Sequence, residues 1–209
     1  MIKTLGIIPA AGDASRFGGV AKELLPIDDN GLTALENCVR VVGYGNSAEF
    51  MIFSTPVKAA VHESLVPDAE IIVHPFDNLA AVVAYAARTQ AAWYVFAMPD
   101  TVIPMLSLAR EVTHDIVAGT FETDKPGRFG IFVDDHIVDK PPHGGTAWGV
   151  WVWSWRAMQR LAGYCEQTKD LTAALNLLIG EFGYDTFPLD YYVDFATFAD
   201  YKEFVCSPI

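Results

Sequence analysis

The feature that most constrains the fold is a repeated alternation over the first hundred residues. Short apolar runs recur at Leu5–Pro9, Glu49–Ser54, Ala69–Val73 and Trp93–Met98, each the length of a buried strand. Between them, Thr33–Val42, Val57–Leu65 and the alanine-rich Leu79–Ala92 read as helices, the first following an Asn30-Gly31 turn. Strands and helices alternating at this spacing build a parallel sheet with helices on both faces. Beyond residue 110 the rhythm changes. Strand-like segments at Ile116–Phe121, Phe129–Val133, His136–Asp139 and Gly149–Trp153, with a turn at Asp134-Asp135, suggest a more antiparallel half. Helices are expected at Arg156–Gly163, Leu171–Phe182 and Thr197–Val205, and short strands at Tyr184–Phe187 and Tyr191–Asp194. No linker, repeat or low-complexity tract intervenes. The expectation is one mixed α/β domain over residues 1–209, mostly parallel, divided into halves 1–110 and 111–209.

Composition narrows the partners. A chain of 209 residues lies within the range of one domain and hides about 70% of its unfolded surface. With 52% hydrophobic and 19% charged residues it is not a disordered chain. Fourteen Lys and Arg against 26 Asp and Glu give a net charge of −12, a surface that repels phosphate backbones. Neither nucleic acid nor an anionic membrane is therefore an expected partner. A small anionic substrate is compatible with this charge if a few cations converge in one cleft. Cys38, Cys165 and Cys206 lie far apart and point to a reduced compartment rather than a disulfide framework or zinc site. None of the five histidines is spaced i, i+3 or i, i+4 from another, so no helical metal motif exists. The Leu5–Pro9 run is too short for a signal-peptide core, and no run approaches the roughly 18 apolar residues of a membrane span. A cytoplasmic location is the expectation, and a homo-oligomer is left open.

Ligands of open α/β sheets bind beyond the carboxyl ends of the strands. The first such loop runs from Ala10 to Lys22 and is rich in Gly and Ala, which lets backbone N–H groups approach an anion. Arg16 and Lys22 add two cations in a chain that has few. An ordinary turn with two solvated cations is the competing reading. The loop matches neither G-x-x-x-x-G-K-[ST] nor G-x-G-x-x-G, which disfavours an NAD(P)-linked reductase.

The motifs in their order resemble a known family. Ile7-Ile8-Pro9-Ala10-Ala11-Gly12, then Ser15-Arg16-Phe17 and Lys22-Glu23-Leu24-Leu25-Pro26-Ile27, look like the opening of the sugar-nucleotide pyrophosphorylases, or nucleotidyltransferases. Pro99-Asp100, Val138-Asp139-Lys140-Pro141, Gly149-Val150-Trp151-Val152-Trp153-Ser154 and Tyr192-Val193-Asp194-Phe195-Ala196-Thr197 followed by Asp200-Tyr201 resemble that family's later motifs. The resemblance implies a Rossmann-related, GT-A-like fold with a nucleotide-binding first half and an acceptor-binding second half. The implied reaction joins NTP and a sugar 1-phosphate to give a nucleotide sugar and pyrophosphate. By the same resemblance, Ala10, Ala11, Gly12, Ala14 and Ser15 would hold the nucleotide, with His74 and Asn78 near its base. Arg16 would face the leaving pyrophosphate, Lys22 the attacked phosphate and Lys140 the phosphate of the acceptor. Asp139 and Gly149 would line the acceptor site, and Asp100 and Asp194 would share Mg²⁺.

The sequence also departs from the pattern. Ala14 replaces the second loop glycine, Asp13 adds a negative charge, Asn78 replaces another glycine and Phe195-Ala196 replaces I-G. Arg16 and Lys22 are six positions apart, a spacing that resembles molybdenum-cofactor guanylyltransferases. Base and acceptor therefore stay open. A molybdopterin or alcohol-phosphate acceptor, or a catalytically silent nucleotide-binding relative, are the alternatives. Each residue also has a plainer reading. Asp100 and Asn78 are plausible caps, Asp194 a satisfied structural carboxylate, Lys140 a solvated edge residue, and His143–Thr146 a lid or an ordinary loop. The stripe Trp148, Trp151, Trp153, Trp155 is read as packing, with Trp148 as a sugar platform the alternative.

Overall fold

Alternation of side chains along each strand lets one sheet bury two faces. In the computed structural model, which describes residues 3–12, 17–44, 47–106, 112, 114–125 and 127–206, that sheet is built from β1 (Lys3–Pro9), β2 (Ser47–Ser54), β3 (Glu70–Val73), β4 (Trp93–Ala97), β6 (Ile116–Thr123), β9 (Gly145–Ser154) and β10 (Asp185–Pro188). Their spatial order is β3-β2-β1-β4-β9-β6-β10. Neighbours β3, β2, β1 and β4 pair in parallel, as do β6 and β10, while β9 runs antiparallel to both β4 and β6. Two smaller pairings complete the strands. β7 (Gly130–Val133) and β8 (His136–Asp139) form a hairpin, and β5 (Thr101–Val102) pairs antiparallel with β11 (Val193–Asp194). The hairpin turns at Asp134 and Asp135, whose φ values of 45° and 62° are those of a type I′ turn.

Both faces are dry. On one, Leu5, Ile7, Phe53, Tyr94, Phe96, Trp151 and Trp153 pack beneath α3 (Leu79–Ala86), α4 (Trp155–Thr168) and α5 (Leu171–Phe182). On the other, Ile8, Ile52, Val95, Ala97, Val150 and Val152 pack against α1 (Ala34–Gly43). Thr33 begins α1 with a reciprocal capping box to Glu36, and Asp170 caps α5 by accepting from Ala173 N–H. Two short helices, α2 (Ala59–Leu65) and α6 (Phe198–Cys206), complete the chain.

Three elements differ from their expected bounds for visible reasons. α3 stops at Ala86 rather than Ala92, because the buried Tyr94 hydroxyl donates to Thr89 O at 2.7 Å and accepts from Ala91 N–H at 3.1 Å. α4 continues through Gly163 to Thr168 and ends on Lys169 in the left-handed region, φ 58°. β9 begins four residues earlier than expected, because β6 is long enough to pair with it as far as Thr123↔Gly145.

Candidate active site

From β1 the chain winds outward in one direction to β2 and β3, then crosses back to place β4 on the other side of β1. The reversal opens a crevice beyond the carboxyl ends of β1 and β4, the standard ligand position of such sheets. A cleft of about 430 Å³ lies there, lined among others by Lys22, Asp100, Asp139, Lys140, Trp148 and Asp194.

Asp100 and Asp194 are brought together by the short β5–β11 ladder, in which Asp194 faces Thr101 and Phe195 N–H donates to Asp100 O at 3.2 Å. Each carboxylate has its own cation. Lys22 Nζ reaches Asp100 Oδ2 at 2.8 Å. Arg128 Nη2 reaches Asp194 Oδ2 at 2.6 Å, and the same guanidinium grips Asp200 at 3.1 and 3.2 Å. Burial and the nearby negative charge of Asp100 still raise the Asp194 carboxyl above its ordinary range, despite Arg128. A carboxylate whose charge is disfavoured by burial and by a second carboxylate beside it suits a shared divalent cation. Among the described residues no three His, Cys, Asp or Glu side chains form a metal cage. Mg²⁺ does not need one, since it is commonly held by one or two carboxylates together with substrate phosphate oxygens and water. The pair therefore fits that ion.

Asp200 behaves oppositely. Partial burial would raise its pKa, but Arg128 and the Thr197 N–H and hydroxyl donors outweigh it and hold the carboxyl at about 2, below its ordinary 3.8. Between those values the unfolded chain binds the proton that the folded chain refuses. Stability from this group is complete above about pH 4 and drains away as the pH falls toward about 2. Melting curves across that window should show a decline that Asp200→Asn flattens; equal slopes in the two proteins would contradict this.

Of the residues singled out from sequence, Lys22, Asn78, Asp100, Asp139, Lys140 and Asp194 line this one cleft. Ala10 is buried and Gly12 exposed at the end of β1, whereas Ala14, Ser15 and Arg16 lie outside the described residues. Asn78 spends its side-chain oxygen on Ala81 N–H at 2.9 Å as the cap of α3. His74 is exposed, stacks obliquely on Phe76 and does not line the cleft. Asp139 and Lys140 are exposed and 3.8 Å apart.

Gly149 sits at a β-bulge. β6 pairs Gly119 with Val150 and then Thr120 with Trp148, so Gly149 is the extra residue. The Tyr192 ring lies so close that a Cβ at this position would sit 2.6 Å from it. Gly149 is thus covered, and the extra residue keeps Trp148, three positions before Trp151, on the same face: Trp151 and Trp153 are buried, and Trp148 packs 6.1 Å from the Trp151 ring at the edge of the cleft.

Arg128 escaped the sequence reading. It lies in a loop without motif, and its partners are 66 and 72 residues away. The sole available signal was the scarcity of basic residues.

No protein-family model matches the sequence, and no curated protein matches it either. Solved structures do. A protein assigned as a glucose-1-phosphate thymidylyltransferase from Bacillus anthracis, solved with sucrose, superposes with a TM-score of 0.76 at 15% identity, over 96% of this chain and 93% of its own. The UTP-bound UGPase from Acinetobacter baumannii gives 0.76 at 17% identity, over 99% and 93%. The fold is that of the nucleotidyltransferases. The inositol-1-phosphate CTP transferase of T. maritima shares it with a TM-score of 0.69 at 16% identity, over 96% and 91%. In this nucleotidyltransferase fold nearly the whole of each chain is matched, so the likeness includes both the β1–β4 crevice and the β6–β10 half. Among the described residues no helix is long and apolar enough to cross a membrane.

Proposed function

We propose that this chain is a Mg²⁺-dependent nucleotidyltransferase that moves a nucleoside monophosphate from an NTP onto a small phosphorylated acceptor, a sugar 1-phosphate in the first instance. The observation that carries the reading is the Asp100–Asp194 pair, 94 positions apart in sequence and joined across β5 and β11 at the mouth of the switch-point cleft. The fold shared with a UTP-bound UGPase and an inositol-1-phosphate CTP transferase supports the same class.

In this reaction an acceptor phosphate oxygen attacks the α-phosphorus of the nucleotide. One P–O bond forms, the bond to the β-phosphate bridging oxygen breaks, and pyrophosphate leaves with the electron pair. No protein nucleophile is required, so the residues position and neutralise. Asp100 and Asp194 would hold the metal, which when bound supplies positive charge to the phosphate oxygens. Lys22, anchored on Asp100, stands ready for the attacked phosphate. Lys140 enters from the end of β8 with its ammonium half-free for the acceptor phosphate. Trp148, partly buried at the edge of the cleft, would offer an apolar face to the acceptor's ring.

Thermal melting with UTP, dTTP, CTP, GTP and ATP, each with and without Mg²⁺, tests this before the acceptor is known. A nucleotide at 100 times its dissociation constant stabilises by about 2.7 kcal/mol, roughly 5–10 °C for a chain of this size. A Mg²⁺-dependent rise with one base is the expected result and names the donor. Absence of a shift with all five would favour a catalytically silent relative.

A further inference from the structure

Behind the cleft, away from the reacting groups, three ionisable side chains meet: Glu23 and His62 are buried and Lys58 is partly so. Lys58 precedes α2, and its ammonium makes three bonds: to Ala10 O at 2.5 Å, Gly12 O at 2.8 Å and Glu23 Oε1 at 2.6 Å. An ammonium has three donors, so all are used. Glu23 Oε1 also lies 3.4 Å from Nε2 of His62, which is wholly buried. Burial opposes the charge on Glu23, yet His62 and Lys58 hold its carboxyl below its ordinary 4.5.

The acceptors define what this cluster joins. Ala10 and Gly12 belong to the loop that leaves β1, one wall of the proposed nucleotide site. Glu23 follows Lys22 directly in the 3-10 turn Lys22–Leu24, and Lys22 reaches forward to Asp100. One ammonium thus ties together the main chain of the loop and the turn that presents the active-site lysine. We propose that Lys58, backed by Glu23 and His62, is a positioning residue of the nucleotide site, fixing the peptide planes of the β1 loop and its distance from Lys22. This inference rests on the nucleotidyltransferase reading for what the loop binds.

Two physical points favour positioning over simple stabilisation. A cation at a helix N-terminus opposes the helix dipole, so the location of Lys58 does not serve α2. Nor does a buried ion pair add much stability over well-packed apolar groups; what it supplies is direction. The peptide unit is planar and trans, so the N–H of Ala11 points opposite to the Ala10 carbonyl that Lys58 holds. Locking that carbonyl toward α2 turns the amide away from it. A loop whose amides must meet phosphate oxygens works only when its planes are set before the ligand arrives.

Lys58→Met, Lys58→Arg and Glu23→Gln test the inference in two arms. The first is amide hydrogen exchange on the ligand-free protein. Lys58→Met should speed exchange at least tenfold at the hydrogen-bonded amides of Ala10, Leu24 and Leu25 while β6 and β9 stay within twofold of wild type, and Lys58→Arg should recover part of the protection. Uniform acceleration, or none, overturns the proposal. The second arm is the five-nucleotide panel with Mg²⁺. Lys58→Met should weaken binding of the selected nucleotide at least tenfold and lower kcat, leaving KM for the acceptor within twofold. Unchanged nucleotide affinity also overturns it. If wild type binds none of the five, the nucleotidyltransferase reading fails, and the exchange arm still reports separately whether the tether exists. If Lys58→Met does not fold, Glu23→Gln, which keeps the shape and removes the charge, decides both arms.

Discussion

Asp100→Asn is expected to cost about 10³-fold in kcat/KM while the protein stays folded. The side chain keeps its size and one oxygen, so packing is unchanged, but the site loses a negative charge. A metal ligand contributes several kcal/mol to phosphoryl transfer, and each 1.36 kcal/mol is tenfold in rate. The fold does not depend on this charge. Lys22 and Asp100 keep 18% and 19% of their side-chain surface, and an ion pair that wet contributes little net stability, about 1 kcal/mol or less. The substitution also removes a repulsion. Asp100 is one of the two causes raising the Asp194 carboxyl, the larger being burial, so in the variant Asp194 should titrate at a lower pH. Stability that is unchanged or slightly improved, alongside lost turnover, is the signature of carboxylates placed together for a ligand. Steady-state kinetics with pyrophosphate release and a parallel melt check both halves. Near-wild-type turnover would remove Asp100 from the metal site.

The second large effect is on stability and comes from a residue outside every motif. Arg128→Met should destabilise by roughly 2–3 kcal/mol and lower the melting temperature by about 4–12 °C. The fully buried case costs about 3–5 kcal/mol, and the discount reflects the 15–20% of surface that Arg128, Asp194 and Asp200 retain. Removing the guanidinium leaves two carboxylates, Asp194 and Asp200, facing each other without a fork between them. Arg128→Lys should recover only part of the loss, because one ammonium cannot bridge both acids with paired hydrogen bonds. Adding Asp200→Asn to Arg128→Met should restore part of the stability relative to the single variant, since the repulsion between the two carboxylates is then gone. A melting temperature within 1 °C of wild type for Arg128→Met would contradict the role.

How far the sequence foretold this follows from the range of each interaction. β1 and α5 were legible because their signals are local: an apolar run closed by a turn, and an amphipathic stretch. The end of α3 was not, because alanines continue to Ala92 and the hydroxyl that stops the helix belongs to Tyr94 in the next strand. The Gly149 bulge went unread for a related reason, since a bulge is a property of two paired strands and the three-residue step from Trp148 to Trp151 does not by itself say where the extra residue lies. Asp100, Asp194, Lys22 and Lys140 were found through motif order and do share one cleft. Arg128, Lys58 and Glu23 act through partners 35 to 72 positions away and leave no periodic trace.

The antiparallel β9 also dictates when this chain can become a finished protein. The apolar edge of β4, Trp93–Ala97, finds its second partner only in Val150–Ser154. During synthesis, some fifty residues must follow β4 before that edge is covered. Until then a strand reading WYVFA stands open to any other strand it meets, the circumstance in which growing chains aggregate. The first half holds the loop after β1, but the second half supplies the strand that lets the first half stay soluble.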